Sequence, residues 1–161
     1  MANFTGENVI DATEVAKYQS DIFDFGIGSG TSEVAFYILQ TTNDILRELR
    51  SRWFPTYKTN VYTDITVLNT PEMDNTKVNL DQFKRAGVYL FLGRFMLPAL
   101  SKFRPETDKD KFERMAEYYM SEYNKEFRMI LEDGVEYDSA QYGSINVNER
   151  EPLHGFRKLV R

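Results

Sequence analysis

Between residues 112 and 131, Phe112, Met115, Ala116, Tyr119, Tyr123, Phe127, Ile130 and Leu131 recur at spacings of three and four. That is the period of an α-helix, in which such positions stack into one apolar stripe. A helix with this stripe has to bury it against another element, and the rest of the chain supplies helices of the same kind. Thr107 and Asp110 suit its start, and Gly134, followed by Val135, suits a left-handed stop with an apolar lid.

Three more helical segments read upstream. Asp11 to Phe25 carries Val15, Tyr18, Ile22 and Phe25 at helical spacing and is stopped by Gly26-Ile27-Gly28-Ser29-Gly30, a hinge between helices. Ser32 can cap a second helix, with Glu33 at its dipole-positive end, the face Ala35, Leu39, Thr42, Leu46, Leu49, Trp53, and a Glu48/Arg52 pair outside. Asn79 and Gln82 have capping-box spacing before the most apolar run, Phe83 to Phe103, the expected central helix of the core. Pro98 predicts a kink or break near Arg94 to Leu97. Gly87 and Gly93 would allow close helix approach, although an interior glycine is often only tolerated. From Thr56 to Val78 the β-branched Val61, Ile65 and Val67 alternate with polar residues and end in turn chemistry. The expectation is an all-α fold: a bundle of about four helices forming one domain over 1–150, with an extended or β-hairpin insertion at 56–78 and an extended carboxy-terminal arm at 151–161.

The 161 residues contain no cysteine, which excludes disulfides, thiolate metal sites and thiol catalysis in this sequence. The start, Met1 to Glu7, has neither a basic nor an apolar run, and no stretch approaches the ~20 apolar residues of a membrane span, so the reading is neither exported by a secretory signal nor anchored in a membrane. Net charge is -5, but acidic blocks (1–33, 105–137) alternate with basic ones (34–58, 79–104). These are either solvated helix faces or faces by which subunits meet. The acidic balance disfavours a general nucleic-acid binder, which needs a concentrated positive footprint.

Catalytic chemistry has little to stand on. The single histidine, His154, lies in a Pro-Leu-His-Gly stretch without evident partners, and no nucleophile elbow, zinc-helix or phosphate-loop motif occurs. Glu122 and Glu126 read as surface charge on the last helix. The reading is a non-enzyme that needs no cofactor. Asp138 to Glu149 has the frame of a calcium loop, with Asp at one, Gly143 at six and Glu149 at twelve. Positions three and five are Ala140 and Tyr142, so two oxygen ligands are missing; a degenerate EF-hand-like interaction or calcium-binding module is the alternative reading. The final residues, Leu153, Phe156, Arg157, Lys158, Leu159, Val160 and Arg161, mix apolar and basic side chains that a lone tail cannot bury. They either fold back on their own domain or insert into a neighbour.

The second half resembles a tailed-bacteriophage head-to-tail adaptor (connector or neck) protein. The likeness rests on Leu97-Pro98-Ala99-Leu100-Ser101-Lys102-Phe103-Arg104, on Glu132-Asp133-Gly134-Val135-Glu136-Tyr137-Asp138, on the loop with Gly143-Ser144-Ile145 and Glu149, and on the basic ending Phe156 to Arg161. It covers about residues 80–161, and the loop departs from the family pattern in having Ala140 and Tyr142 where aspartates are common. The resemblance implies a virion component: a helical ring, commonly of twelve copies, under the portal protein, contacting other neck or tail proteins and lining the channel through which genomic DNA leaves. Leu153 and Phe156 to Arg161 would dock on the portal. Arg47, Arg50, Arg85 and Arg94 would meet the acidic last helix of a neighbour, with Glu117, Glu122 and Glu126, and an acidic channel wall would let DNA slide. A host-directed interaction protein that works through 56–78 is a further possibility.

Overall fold

The computed structural model describes residues 8–61, 71–101, 111–139 and 150–151. They are mainly helical, as expected of an all-α chain. In order they are α1 (Ala12–Tyr18), α2 (Ser32–Arg52), α3 (Phe54–Val61), α4 (Lys84–Leu90), a π turn (Phe91–Met96), α5 (Leu97–Leu100), α6 (Lys111–Asp133), and two short strands, β1 (Val135–Glu136) and β2 (Arg150–Glu151).

The stripe on α6 is the one its sequence announces: Ala116, Tyr123, Phe127, Ile130 and Leu131 are buried, with Phe112, Met115 and Tyr119 partly so. The helix runs to Asp133 and stops at Gly134, whose φ of 110° places it in the left-handed region and whose N–H bonds the Ile130 carbonyl at 3.0 Å. A side chain there has no room either, because a Cβ would stand 2.7 Å from Arg150 Cγ. The cap assigned to Thr107 and Asp110 lies outside the described residues.

α6 packs along a rod formed by α4, the π turn and α5. Asn79 caps the turn leading into it, its side chain accepting from Asp81 N–H at 3.2 Å. Gln82 does not close the expected capping box. Instead it reaches across to the end of α6, donating to the Gly134 carbonyl (2.7 Å) and accepting from Glu136 N–H (3.0 Å). Pro98 leaves the rod unbroken: it sits in the first turn of α5, and the π turn ahead of it closes with Leu97 N–H donating to the Leu92 carbonyl five residues back. Both rod glycines mark close approaches, since a Cβ on Gly87 would meet Val9 Cγ1 at 2.7 Å and one on Gly93 the Met120 backbone nitrogen at 2.9 Å.

Three expectations need correction. The buried face of α2 is Val34, Ile38, Thr41, Thr42, Ile45 and Leu49; Ala35 and Leu39 are exposed and Leu46 half-buried. The threonines can go inside because Thr41 and Thr42 hydroxyls donate to the carbonyls of Tyr37 (2.8 Å) and Ile38 (3.2 Å), and Thr42 also accepts from Val9 N–H (3.0 Å). Thr31, not Ser32, is the cap. Second, Asp11 to Phe25 is not one helix: α1 ends at Tyr18, and Ile22–Phe25 is a separate 3-10 turn closed by Gly26 at φ 113°. Third, residues 54–61 are helical, not extended. Pro55 sits in the first turn of α3, where its missing N–H costs nothing, and Thr59 Oγ1 donates to its carbonyl at 2.8 Å. Residues 62–70 lie outside the description, and Asn75–Lys77 is a 3-10 turn capped by Asp74.

Among the described residues, the strand structure lies at the end of α6. β1 pairs antiparallel with β2, Val135 opposite Glu151 and Glu136 opposite Arg150, and Tyr137 bridges Val78 on the other side. The Glu136 carboxylate accepts from Asn79 Nδ2 at 2.6 Å and is ion-paired with Arg150. Under this junction lies an aromatic cluster, with Trp53 fully buried 4.7 Å from the Tyr57 ring and 5.6 Å from that of Tyr137.

Candidate interaction surfaces

Among the described residues no group of His, Cys, Asp and Glu could hold a metal ion, and no helix is long and apolar enough to cross a membrane. His154 and the loop from Ala140 to Glu149 lie outside the description. Of the calcium-like frame only Asp138 and Ser139 are seen; Asp138 is buried, its N–H donating to the Lys77 carbonyl at 2.8 Å.

What the surface offers instead is apolar area in two places. Seven large apolar side chains are well exposed among the described residues, and five of them fall into two groups, so they are not scattered singly. The first group is on α2, where Phe36 (55 % exposed) and Leu39 (48 %) head a stripe that continues through Gln40 and Asn43 to Arg47 and Arg50. Along the basic end runs a depression of about 280 Å³ that includes Asn43, Arg47 and Arg50, followed by a groove of about 400 Å³ between α3 and residues 71–73, lined by Arg50, Phe54, Lys58 and Glu72.

The electrostatics of this face follow from one buried carboxylate. Asp44, nearly buried on α2, takes Arg47 at 3.1 Å and Arg94 of the π turn at 3.4 Å. Two guanidiniums against one carboxylate leave positive charge in excess, and both arginines are at least half exposed. Arg94 also lies 6.0 Å over the Phe95 ring, which stacks on Tyr37 at 5.6 Å. Arg50 donates to Asn75 Oδ1 at 3.2 Å.

The second group is a ladder of tyrosines from three helices: Tyr18 against Tyr89 (5.8 Å), Tyr89 against Tyr119 (5.9 Å), Tyr119 against Tyr118 (5.4 Å). Tyr118 is 60 % exposed and Tyr18 43 %. The Tyr119 hydroxyl donates to Gln19 Oε1 at 3.2 Å; burial first, then the phenols of Tyr118 and Tyr89, raise its pKa, so it stays uncharged at neutral pH. Phe25, 47 % exposed, extends the face through an edge contact with Phe112 at 5.4 Å. Asp21 and Asp24 are exposed on the 3-10 turn between Tyr18 and Phe25 and leave this face net acidic, since Lys17 is paired with Glu14 at 3.3 Å and Arg85, which lies over the Tyr89 ring, with Glu126 at 3.6 Å.

The residues expected at a subunit contact are thus distributed over several places. Arg47 and Arg94 converge on Asp44, and Arg50 adjoins them. Arg85 meets the acidic last helix within its own chain: it pairs with Glu126 at 3.6 Å and donates to the Tyr89 hydroxyl at 3.0 Å. Glu122 pairs with Lys125 at 2.6 Å, which raises the lysine's pKa, and Glu117 is exposed on α6 beside Tyr118. The arm residues Leu153 and Phe156 to Arg161 lie outside the description, but its root is held, since Arg150 and Glu151 form β2. The sequence reading missed the tyrosine ladder, whose members are up to a hundred residues apart. It also missed Phe36; Leu39 was assigned to the core.

No family model matches the chain, and no curated protein or solved structure is significantly similar to it.

Proposed function

We propose that the chain is a non-enzymatic assembly subunit of a tailed-bacteriophage virion, a head-to-tail adaptor that forms a ring at the portal vertex. The observation that carries this reading is the rooting of the arm. β2 fastens Arg150 and Glu151 to the end of α6, so the basic and apolar residues that follow start from a fixed point on the body. A tail rooted in this way loses less freedom on docking than one hanging from a loose chain. Leu153, Phe156, Leu159 and Val160 supply apolar anchors, and Arg157, Lys158 and Arg161 a charge that suits an acidic cleft on the portal protein. Other neck or tail proteins would meet the remaining ring surface, and genomic DNA would pass through it without sequence-specific contact.

The test is removal of residues 152–161, which leaves β2 in place, with the purified portal rings of the same phage as partner. Helix content by circular dichroism stays unchanged, and co-sedimentation with portal rings is lost. Undiminished capture by portal rings after the cut would refute docking by the arm.

A further inference from the structure

We infer that the two exposed faces are the two halves of a self-contact: the basic face of α2 on one copy seats on the acidic tyrosine face of the next. This inference rests on the reading that the chain assembles with itself. It adds which surfaces meet.

Phe36 and Leu39 project from α2 with no covering element among the described residues, and Tyr118, Tyr18 and Phe25 do the same on the other face. Isolated exposed apolar residues need no explanation, but grouped ones mark contact sites. Tyrosine and arginine are also the residue types that dominate contact energies, because they combine a large flat area with a polar end.

Charge then decides the pairing. Around Asp44 the arginines Arg47 and Arg94 outnumber their shared carboxylate, and Arg50 and Lys58 extend the positive field along the grooves against the single Glu72. The tyrosine face carries Asp21 and Asp24 at its edge. Each face laid on its own copy sets like charges against like, which costs free energy; each laid on the other is complementary in both apolar and charged character. The two faces have no residue in common, so the contact is heterologous. Repeated from copy to copy it closes into a ring or runs on as a filament. Arg85 lies over the Tyr89 ring but adds no net charge to the tyrosine face, because Glu126 pairs with it inside one chain.

The experiment uses the full chain in sedimentation velocity at concentrations up to several hundred micromolar. Wild type associates, and raising salt from about 50 mM to about 500 mM weakens the association roughly tenfold, as screening of an interface charge pattern requires. The variants R47E/R50E and D21K/D24K each remain monomeric. Mixed in equal amounts they assemble again, because the reversed faces match each other, and that recovery shows that both are folded. Wild type that stays monomeric, a single variant that associates like wild type, or a mixture that does not recover overturns the inference. So does duplex DNA bound by wild type and lost in R47E/R50E without self-association, which would make the α2 face a nucleic-acid surface. Portal capture by the 152–161 deletion is read separately. Its outcome bears on the adaptor reading, while the charge swap bears on the paired faces alone.

Discussion

Helices α2 and α6 are of similar length, 21 and 23 residues, and both alternate apolar and charged positions, yet they bury different kinds of side chain. α6 hides an aromatic stripe in the core and shows charge around the exposed Tyr118 and Met129. α2 hides threonines and keeps Phe36 and Leu39 outside. The difference teaches that burial follows hydrogen-bond satisfaction as well as hydrophobicity: a threonine whose hydroxyl bonds the preceding turn can enter a core, and Leu39, two positions before Thr41, is then rotated out.

The strongest way to break this comparison is to remove a core anchor from each helix. Phe127→Ala deletes a fully buried ring that packs on Phe83 and Tyr123 and lies under the Arg52 guanidinium, and should cost about 3–5 kcal/mol. Ile45→Ala on α2 should cost about 2–5 kcal/mol, whereas Leu39→Ala should fall within about 0.5 kcal/mol of wild type. Urea unfolding midpoints of the three variants check it. A Leu39→Ala cost equal to that of Ile45→Ala would return Leu39 to the buried face and dissolve the contrast.

The threonine pair sharpens the comparison at a smaller scale. Thr42 Oγ1 accepts from Val9 N–H, a buried backbone donor with no helical partner, while Thr41 Oγ1 serves a carbonyl on its own helix. Thr42→Val orphans that donor and should cost about 1–3 kcal/mol; Thr41→Val orphans nothing comparable and should cost under about 1 kcal/mol. Equal losses would mean that the Val9 bond contributes nothing beyond volume. Backbone exchange at Val9 gives a second reading, since protection there should vanish only in the Thr42 variant.

The same contrast explains how far the sequence could be read. The α6 stripe was legible because every position in it is strongly apolar and Gly134 marks the stop, so no competing register existed. On α2 the stripe through Leu39 and Leu46 was as plausible as the one through Ile38 and Ile45, and the second is selected only by packing into the core the rest of the chain forms. The helix over 54–61 was hidden by its β-branched end and by Pro55, which looks like a stop but is tolerated in a first turn. Of the surfaces, the arginines of α2 were visible as a basic block. Asp44, which gathers Arg47 with Arg94, was not, since its burial depends on packing across fifty residues of chain. The tyrosine ladder was illegible for the same reason: Tyr18, Tyr89 and Tyr118 become neighbours only after α1, α4 and α6 have packed.

Where α2 and α6 meet, the Tyr123 hydroxyl is buried beside Glu48 with no hydrogen-bond partner among the described residues. Burial first, and the Glu48 charge second, raise its pKa above the ordinary 10.0. A buried hydroxyl that meets Glu48 only outside good hydrogen-bond geometry recovers little of its lost hydration, so Tyr123→Phe should leave stability at neutral pH unchanged or raise it by up to about 1 kcal/mol. The pH dependence has a definite sign. The unfolded phenol ionises near its ordinary value while the folded one stays protonated, so the folded state's contribution is complete below pH 10.0 and is lost as pH rises beyond it. Wild type should therefore lose stability above about pH 10 more steeply than Tyr123→Phe, read as the difference between their urea midpoints at neutral pH and at about pH 10.5. A Tyr123→Phe variant destabilised at neutral pH by more than about 1 kcal/mol would show instead that the hydroxyl holds Glu48, and that the α2–α6 seam is fastened by a polar link as well as by its rings.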